Sequence, residues 1–130
     1  MPLLNGRDSV NFWRQREVHL KINIRQAGRI TILDLDGPLR FGPAEDIFRN
    51  QAQQLVQAGS TFLAVNLARV SDLDSSGVGA LVRVFTSVRR AGGKCVFFSP
   101  SERVLMVLRM VRMNAILDIS EDEAAALASF

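Results

Sequence analysis

Several residue types that often carry chemistry are scarce in this sequence of 130 residues. It contains one cysteine, Cys95, one histidine, His19, one tryptophan and no tyrosine. A single cysteine excludes an internal disulfide framework and a cysteine-cluster metal site. A single histidine leaves little basis for a histidine-rich metal site or a Ser-His-Asp triad. We therefore expect neither a metal nor another cofactor.

Long hydrophobic runs are also lacking. No stretch reaches the roughly 18 apolar residues that a transmembrane helix needs. Residues 1–17 lack the apolar core of a secretory signal. The sequence therefore predicts a cytoplasmic protein without membrane insertion, and one unpaired cysteine agrees with a reducing compartment.

The length and composition fit one globular domain, since 48% of the residues are apolar and 22% are charged. We expect a polar N-terminal arm over residues 1–17 and a single domain over residues 18–130. Trp13 lies in that arm, and either packing onto the domain or contact with a partner would explain it.

Hydrophobic periodicity predicts the order of strands and helices. Alternation at Val18, Leu20, Ile22 and Ile24 predicts a strand, and a turn at 26–29 joins it to a second strand. Three more strands are predicted at 62–67, 95–98 and 117–119, and four helices at 43–58, 76–91, 101–110 and from Ser120, which would cap the last helix. The predicted fold class is α/β, a mixed and mostly parallel sheet with an N-terminal β-hairpin and about four helices packed on it.

Two groups of large apolar residues are predicted to fill space. We expect the phenylalanines to be core residues: Phe41, Phe48, Phe62, Phe85, Phe97 and Phe98. Three methionines at spacings of four and three predict one helical side that fills the core or an interface: Met106, Met110 and Met113.

The segment from Val70 to Gly79 joins a predicted buried strand to a predicted helix, which is where α/β folds gather their sites. Ser75 and Ser76 stand at the predicted helix start, where serine often serves only as a cap. Gly77 and Gly79 would let a partner's backbone come close. Asp72 and Asp74 could hold a cation, but two such carboxylates are more often simple loop charges. A nucleophile is disfavoured because G-x-S-x-G is absent and the only histidine base is predicted to face solvent.

The run Val70-Ser71-Asp72-Leu73-Asp74-Ser75-Ser76-Gly77-Val78-Gly79 resembles the phosphorylation-site signature of bacterial anti-sigma factor antagonists, members of the STAS domain family. Gly92-Gly93 before a strand, and Ser99-Pro100-Ser101-Glu102-Arg103-Val104 before a short helix, are also similar to that family. The resemblance covers roughly residues 18 to 128 in the order of elements and implies a STAS-like fold.

The resemblance implies a non-enzymatic switch. The unphosphorylated protein would bind an anti-sigma factor serine kinase and so free a sigma factor, and phosphorylation in the Asp-Ser-Ser-Gly motif would release it. By position in the motif the phosphoacceptor is Ser75, with Ser76 as second choice. The predicted partner-binding residues are Asp72, Asp74, Ser76, Gly77, Val78, Gly79 and Arg83.

One stretch departs from the antagonist pattern. Antagonists usually carry an acidic residue after the glycine that ends the second strand, whereas this chain has Gly37-Pro38-Leu39-Arg40-Phe41. That stretch is more similar to STAS domains attached to sulfate transporters. A non-switching STAS scaffold or transporter-associated subunit is therefore the alternative function, and a homodimer also stays open.

The net charge of +3 is unevenly distributed. Residues 76–117 hold seven bases and one acid, whereas residues 118–130 hold four acids and no base. No basic motif interleaved with aromatic residues accompanies these charges, so direct binding of nucleic acid is not expected. We interpret the basic region as a partner-facing surface beside the serine motif.

Overall fold

The computed structural model describes residues 19–130. The predicted arm of residues 1–17, with Trp13, lies outside the described residues, as does Val18. From residue 19 onward the chain forms one five-stranded sheet in the order β1-β2-β3-β4-β5. Its strands are β1 Lys21–Ala27, β2 Ile30–Leu39, β3 Phe62–Leu73, β4 Lys94–Phe98 and β5 Ile119–Ser120.

The sheet is mixed and mostly parallel, as predicted. The strand β1 pairs antiparallel with β2, from Lys21 opposite Asp36 to Ala27 opposite Ile30. Gly28 turns the chain between them with a φ of 61°, a value that glycine adopts without steric cost. The pairs β2–β3, β3–β4 and β4–β5 are parallel.

Four helices connect and cover the strands: α1 Pro43–Gln57, α2 Ser75–Arg90, α3 Glu102–Met110 and α4 Glu123–Ala128. A 3₁₀ turn at Met113–Ala115 precedes β5. The starts of α1 and α3 agree with the sequence prediction. The helix α1 begins at Pro43, with Glu45 in its first turn. The Ser101 hydroxyl accepts the Val104 N–H at 3.2 Å and caps α3.

Alternate residues of each strand point to opposite faces and build two hydrophobic clusters. The larger cluster lies between the sheet and α1, α2 and α3, and contains Leu33, Val65 and Phe97. The smaller cluster lies on the other face and joins Ile32 and Phe98 to α4, among others. The protein is therefore a central sheet with three helices on one face and one short helix on the other.

The end of the chain differs from the predicted boundaries. Leu117 is buried, but its N–H donates to the Met113 carbonyl oxygen at 2.9 Å and not to a neighbouring strand, and the last strand begins only at Ile119. The expectation that Ser120 caps the last helix is wrong, because Asp122 accepts the Ala125 N–H at 2.8 Å and occupies the cap.

The predicted apolar core is largely confirmed, with corrections at the surface. Phe48, Phe85, Phe97 and Phe98 are buried, and Phe62 is half-buried against Phe130 with ring centroids 6.1 Å apart. Phe41 is 81% exposed, because it lies in the turn between β2 and α1. Met106 and Met110 are 59% and 76% exposed and are not core residues, whereas Met113 packs against the larger cluster.

Candidate functional site

The predicted loop before the serine motif is mostly strand. The strand β3 continues to Leu73 by pairing in parallel with β2, where Pro38 lies opposite Asp72 and Leu39 opposite Leu73. The helix α2 begins at Ser75, so Asp74 alone separates strand from helix. This arrangement fixes the direction in which the chain enters α2.

Asp74, and not a serine, is the N-terminal cap of α2. Its Oδ1 accepts the Gly77 N–H at 2.8 Å, and its Oδ2 accepts the Phe41 N–H at 3.0 Å from the turn that follows β2. One carboxylate therefore joins the start of α2 to the β2–α1 turn. Aspartate and serine are both strong caps, so residue type alone did not decide which would hold the position.

The environment of Asp74 stabilises its charged form. Partial burial acts to raise its pKa, but the backbone N–H donors of Phe41, Gly77 and Ser76 act in the opposite direction and outweigh it. The pKa of Asp74 accordingly lies below its usual value. The cap is thus ionised at neutral pH, with both of its oxygens bonded to backbone groups.

The two glycines of the motif have different surroundings. A Cβ on Gly77 would come within 2.1 Å of the Leu39 carbonyl oxygen and 2.7 Å of the Leu73 Cδ1 atom, so only glycine fits against the end of β2. A Cβ on Gly79 would meet only the Arg83 Nη1 atom, at 3.8 Å. The expected close approach of a backbone at Gly77 therefore occurs within the domain.

Ser75 lies at the surface, as the first residue of α2. It borders a shallow cavity of about 430 Å³, here called the Ser75 depression, which is lined by Ser75, Val78, Gly79, Val82, Arg83, Val111 and Met113. Ser76 is half-buried and Val78 is buried. Of the two serines, Ser75 is the one whose hydroxyl stands open to an incoming reagent.

Asp72 is bonded to two arginines that the sequence did not single out as site residues. The Arg40 Nε lies 3.4 Å from one carboxylate oxygen, and the Arg103 Nη2 lies 3.2 Å from the other. Arg40 belongs to the stretch that departs from the antagonist pattern, and that departure was the available signal. Arg103 comes from the start of α3, a contact across the sheet edge that sequence spacing does not reveal.

Two other residues considered in the sequence analysis, Arg83 and His19, lie at different cavities. Arg83 is exposed and faces the Ser75 depression. His19 is exposed, as predicted, and lines a different cavity of about 550 Å³ with Phe41 and Ile47, which Ser75 does not border. Residues 19–130 contain no cluster of three or more His, Cys, Asp or Glu side chains arranged to hold a metal ion. Within the same residues no helix is long and apolar enough to cross a membrane.

Sequence comparison adds a curated relative to this geometry. The chain is 28% identical over 107 residues to the anti-sigma-B factor antagonist of Bacillus subtilis strain 168, covering 82% of this chain and 86% of the relative. The likeness therefore extends over most of the length of both chains.

Two solved structures show the same fold. The Bacillus cell fate determinant SpoIIAA in its phosphorylated form has a TM-score of 0.65 at 20% identity and covers 85% of this chain and all of that one (100%). The murine anion transporter Slc26a9 in its inward-facing state has a TM-score of 0.73 at 15% identity and covers 92% of this chain but 24% of the transporter.

The family model agrees with these likenesses. The model of the STAS domain family matches residues 21–126 of this chain. The matched segment includes the whole sheet and the site at the start of α2. The resemblance carried by the Asp-Ser-Ser-Gly motif is therefore confirmed at the level of the family, and the chain belongs to the STAS domain family.

Proposed function

We propose that this protein is an anti-sigma factor antagonist that binds an anti-sigma factor serine kinase and is released when Ser75 is phosphorylated. The exposed hydroxyl of Ser75, at the first position of α2 and directly after the capping Asp74, is the observation that carries the proposal. The named function of the Bacillus subtilis relative supports it. The proposed activity is regulation by binding in the cytoplasm, without catalysis.

The geometry around Ser75 suits a modification that leaves the domain folded. Transfer of a phosphoryl group from ATP to the Ser75 Oγ adds a charge of about −1.5 to −2 at neutral pH. The side chain is exposed, so no packed group has to move. The positive dipole end of the 16-residue helix α2 favours negative charge at this position.

The same charge would weaken binding to a partner that covers the site. A phosphate inside a protein interface carries charge and a desolvation cost that the unmodified hydroxyl does not. Asp72 adds less repulsion than its charge suggests, because Arg40 and Arg103 lie against it. In the proposal, the phosphate itself therefore supplies most of the repulsion that releases the kinase.

The surface near Ser75 also offers apolar contact area. Met110 is 76% exposed, and Val111, which lines the Ser75 depression, is 44% exposed. Exposed apolar side chains that surround a polar site are typical of protein interfaces. In the proposal, the exposed Met110 therefore has the interface role that the sequence left open, whereas Met113 packs against the larger cluster.

Phosphorylation by the anti-sigma serine kinases of the source organism tests the proposal. Each kinase is incubated with Mg²⁺, ATP and the parent protein, Ser75→Ala or Ser76→Ala, and the modified residue is mapped by mass spectrometry. We expect labelling of the parent and of Ser76→Ala, and none of Ser75→Ala, with both variants folded by circular dichroism.

Two outcomes would contradict this assignment. Labelling of Ser75→Ala at Ser76 would move the acceptor by one residue, and no labelling of the parent by any of the kinases would remove the switch. In the second case, co-purification of the parent with a membrane transporter would favour the transporter-associated function, to which the stretch from Gly37 to Phe41 and the Slc26a9 fold point.

A further inference from the structure

The Ser75 depression brings a basic side chain and the proposed phosphoacceptor onto one surface. Ser75 and Arg83 both line it, and they lie eight residues apart on α2. Residues four apart on a helix occupy neighbouring turns of one face. Ser75, Gly79 and Arg83 therefore succeed one another along the side of α2 that borders the depression.

Gly79 leaves the path between Ser75 and Arg83 open. The Arg83 Nη1 atom lies 3.8 Å from the position that a Cβ on Gly79 would take, so the guanidinium reaches back over that turn toward Ser75. Helical side chains lean toward the N-terminus, which favours this direction. A larger residue at position 79 would stand between the two groups.

Arg83 differs from the other arginines near the site in its partners. Arg40 and Arg103 are both paired with Asp72, and the oxygens of Asp74 are bonded to backbone N–H groups. Within residues 19–130, the six ion pairs do not include Arg83, which is exposed. Its charge is therefore available to a new anion on the same surface.

We propose that Arg83 is the intramolecular counter-charge of a phosphate on Ser75, which it meets across Gly79. The inference rests on the proposed function in taking Ser75 as the modified residue. In the unmodified protein Arg83 has no ion-pair partner among residues 19–130 and can contact another protein, whereas in the phosphorylated protein it turns to the phosphate. Phosphorylation thus adds a negative group to the surface and withdraws a positive one.

The ionisation of the phosphate measures this contact directly. Phosphoserine is placed at position 75 by genetic code expansion, so no kinase is needed, and its second pKa is followed by ³¹P NMR. A cation about 7 Å away in water lowers such a pKa by about 0.4, and a closer contact lowers it more. We therefore expect Arg83→Gln to raise the phosphate pKa by about 0.4 or more, and Arg83→Lys to raise it by less.

Arg90→Gln is the matched control, because it removes the same charge from the exposed last turn of α2, about 22 Å along the helix from Ser75. It should leave the phosphate pKa unchanged. The difference between Arg83→Gln and the parent should shrink as salt is added. An equal phosphate pKa in the parent and Arg83→Gln at low salt would overturn the proposal.

The result is separate from the fate of the proposed function. If no kinase modifies Ser75, the installed phosphate still reports whether Arg83 meets it. If a kinase does modify Ser75 but Arg83→Gln leaves the phosphate pKa unchanged, the switch stands and Arg83 has no part in it. Thermal unfolding of unmodified Arg83→Gln, expected to match the parent, shows that the substitution itself does not disturb the fold.

Discussion

Two aspartates have contrasting surroundings, one within the sheet and the other at the junction of a strand and a helix. Asp34 lies in the middle of β2 on the face that α4 covers, and Asp74 lies where β3 passes into α2. Asp34 accepts hydrogen bonds from side chains of two neighbouring strands, β1 and β3. Asp74 is instead held by backbone N–H groups beside an exposed serine. The polar groups around Asp34 are bonded to one another within the protein, whereas the Ser75 side chain beside Asp74 is exposed to solvent.

The Asp34 network joins distant parts of the sequence. Arg25 meets the two Asp34 oxygens at 2.6 and 3.0 Å and also contacts Glu123 of α4, at 2.6 and 3.2 Å. Asn66 of β3 donates to Asp34 at 2.9 Å. The hydrogen bonds from Arg25 are the largest influence that holds the pKa of Asp34 below its usual value. These contacts hold the hairpin and the last helix against the sheet.

In the proposed function, this difference separates residues that maintain the fold from residues that contact a partner. Every group of the Asp34 network finds its partner inside the protein, so changes there should alter stability alone. At the start of α2, Asp74 and Gly77 are internally satisfied, whereas Ser75 and Arg83 face solvent. Changes to the first pair should alter stability, and changes to the second pair should alter regulation.

The largest effect is expected at Gly77, where the site is most tightly packed. Gly77→Ala places a Cβ 2.1 Å from a backbone oxygen that cannot move aside cheaply, and should lower the free energy of unfolding by about 3 kcal/mol. The measurement is urea denaturation. Gly79→Ala is the control: it meets no close atom and should raise stability by up to about 1 kcal/mol through helix propensity. Similar losses in both variants would contradict the packing argument.

A smaller loss is expected in the Asp34 network. Asp34→Ala removes the acceptor of Arg25 and Asn66 and should lower the free energy of unfolding by about 1.5 kcal/mol, a value reduced because Arg25 is partly exposed. Urea denaturation measures it. Glu123→Gln keeps the Asp34 contacts and should cost less than about 1 kcal/mol. Loss of kinase binding in folded Asp34→Ala would contradict the prediction that changes in the Asp34 network alter stability alone.

At Asp74 the expected loss is about 1 kcal/mol, the usual cost of removing a helix cap. Asp74→Ala leaves the Gly77 and Phe41 N–H groups without their acceptor. Asp74→Asn retains a side-chain oxygen for the cap and should keep most of the stability. Thermal unfolding compares the two variants, and equal losses would mean that charge, and not capping, is what Asp74 contributes.

Acid should weaken both regions by the same mechanism. The pKa values of Asp34 and Asp74 are lowered in the folded protein, so each group favours folding above its unfolded pKa of about 4. That contribution disappears as the pH falls through the folded pKa. Unfolding between pH 7 and pH 3 should therefore show a stability loss that is smaller in Asp34→Asn and in Asp74→Asn than in the parent. A parent-like pH profile in both variants would contradict the pKa directions.

Local patterns predicted most of the fold because the responsible signals lie close together in the sequence. Alternation gave the hairpin, Pro43 marked the start of α1, and Ser101 capped α3 where predicted. What could not be predicted depends on distant contacts. The exposure of Phe41 follows from the turn in which it lies, and the arginines beside Asp72 arrive from β2's end and from α3.

The site shows the same division between local and distant information. The motif predicted that Ser75 stands at the start of a helix, and it does, but the motif could not tell whether an aspartate or a serine caps that helix. The role of Gly77 depends on Leu39, almost forty residues earlier in the chain. Arg83 can extend back along α2 because Gly79 has no side chain in its path. The sequence contains both residues, but their relation to Ser75 is visible only in the structure, where all three line the Ser75 depression.

The central claim is that a phosphate on Ser75 ends partner binding while the domain stays folded. The direct measurement is calorimetric titration of the anti-sigma kinase that labels Ser75 with the unmodified and the phosphoserine-75 protein, alongside thermal unfolding of both. We expect affinity to fall by about 100-fold or more, the size of a desolvated charge in an interface, with unfolding temperatures that agree closely. Equal affinities, or a phosphorylated protein that has unfolded, would contradict the account.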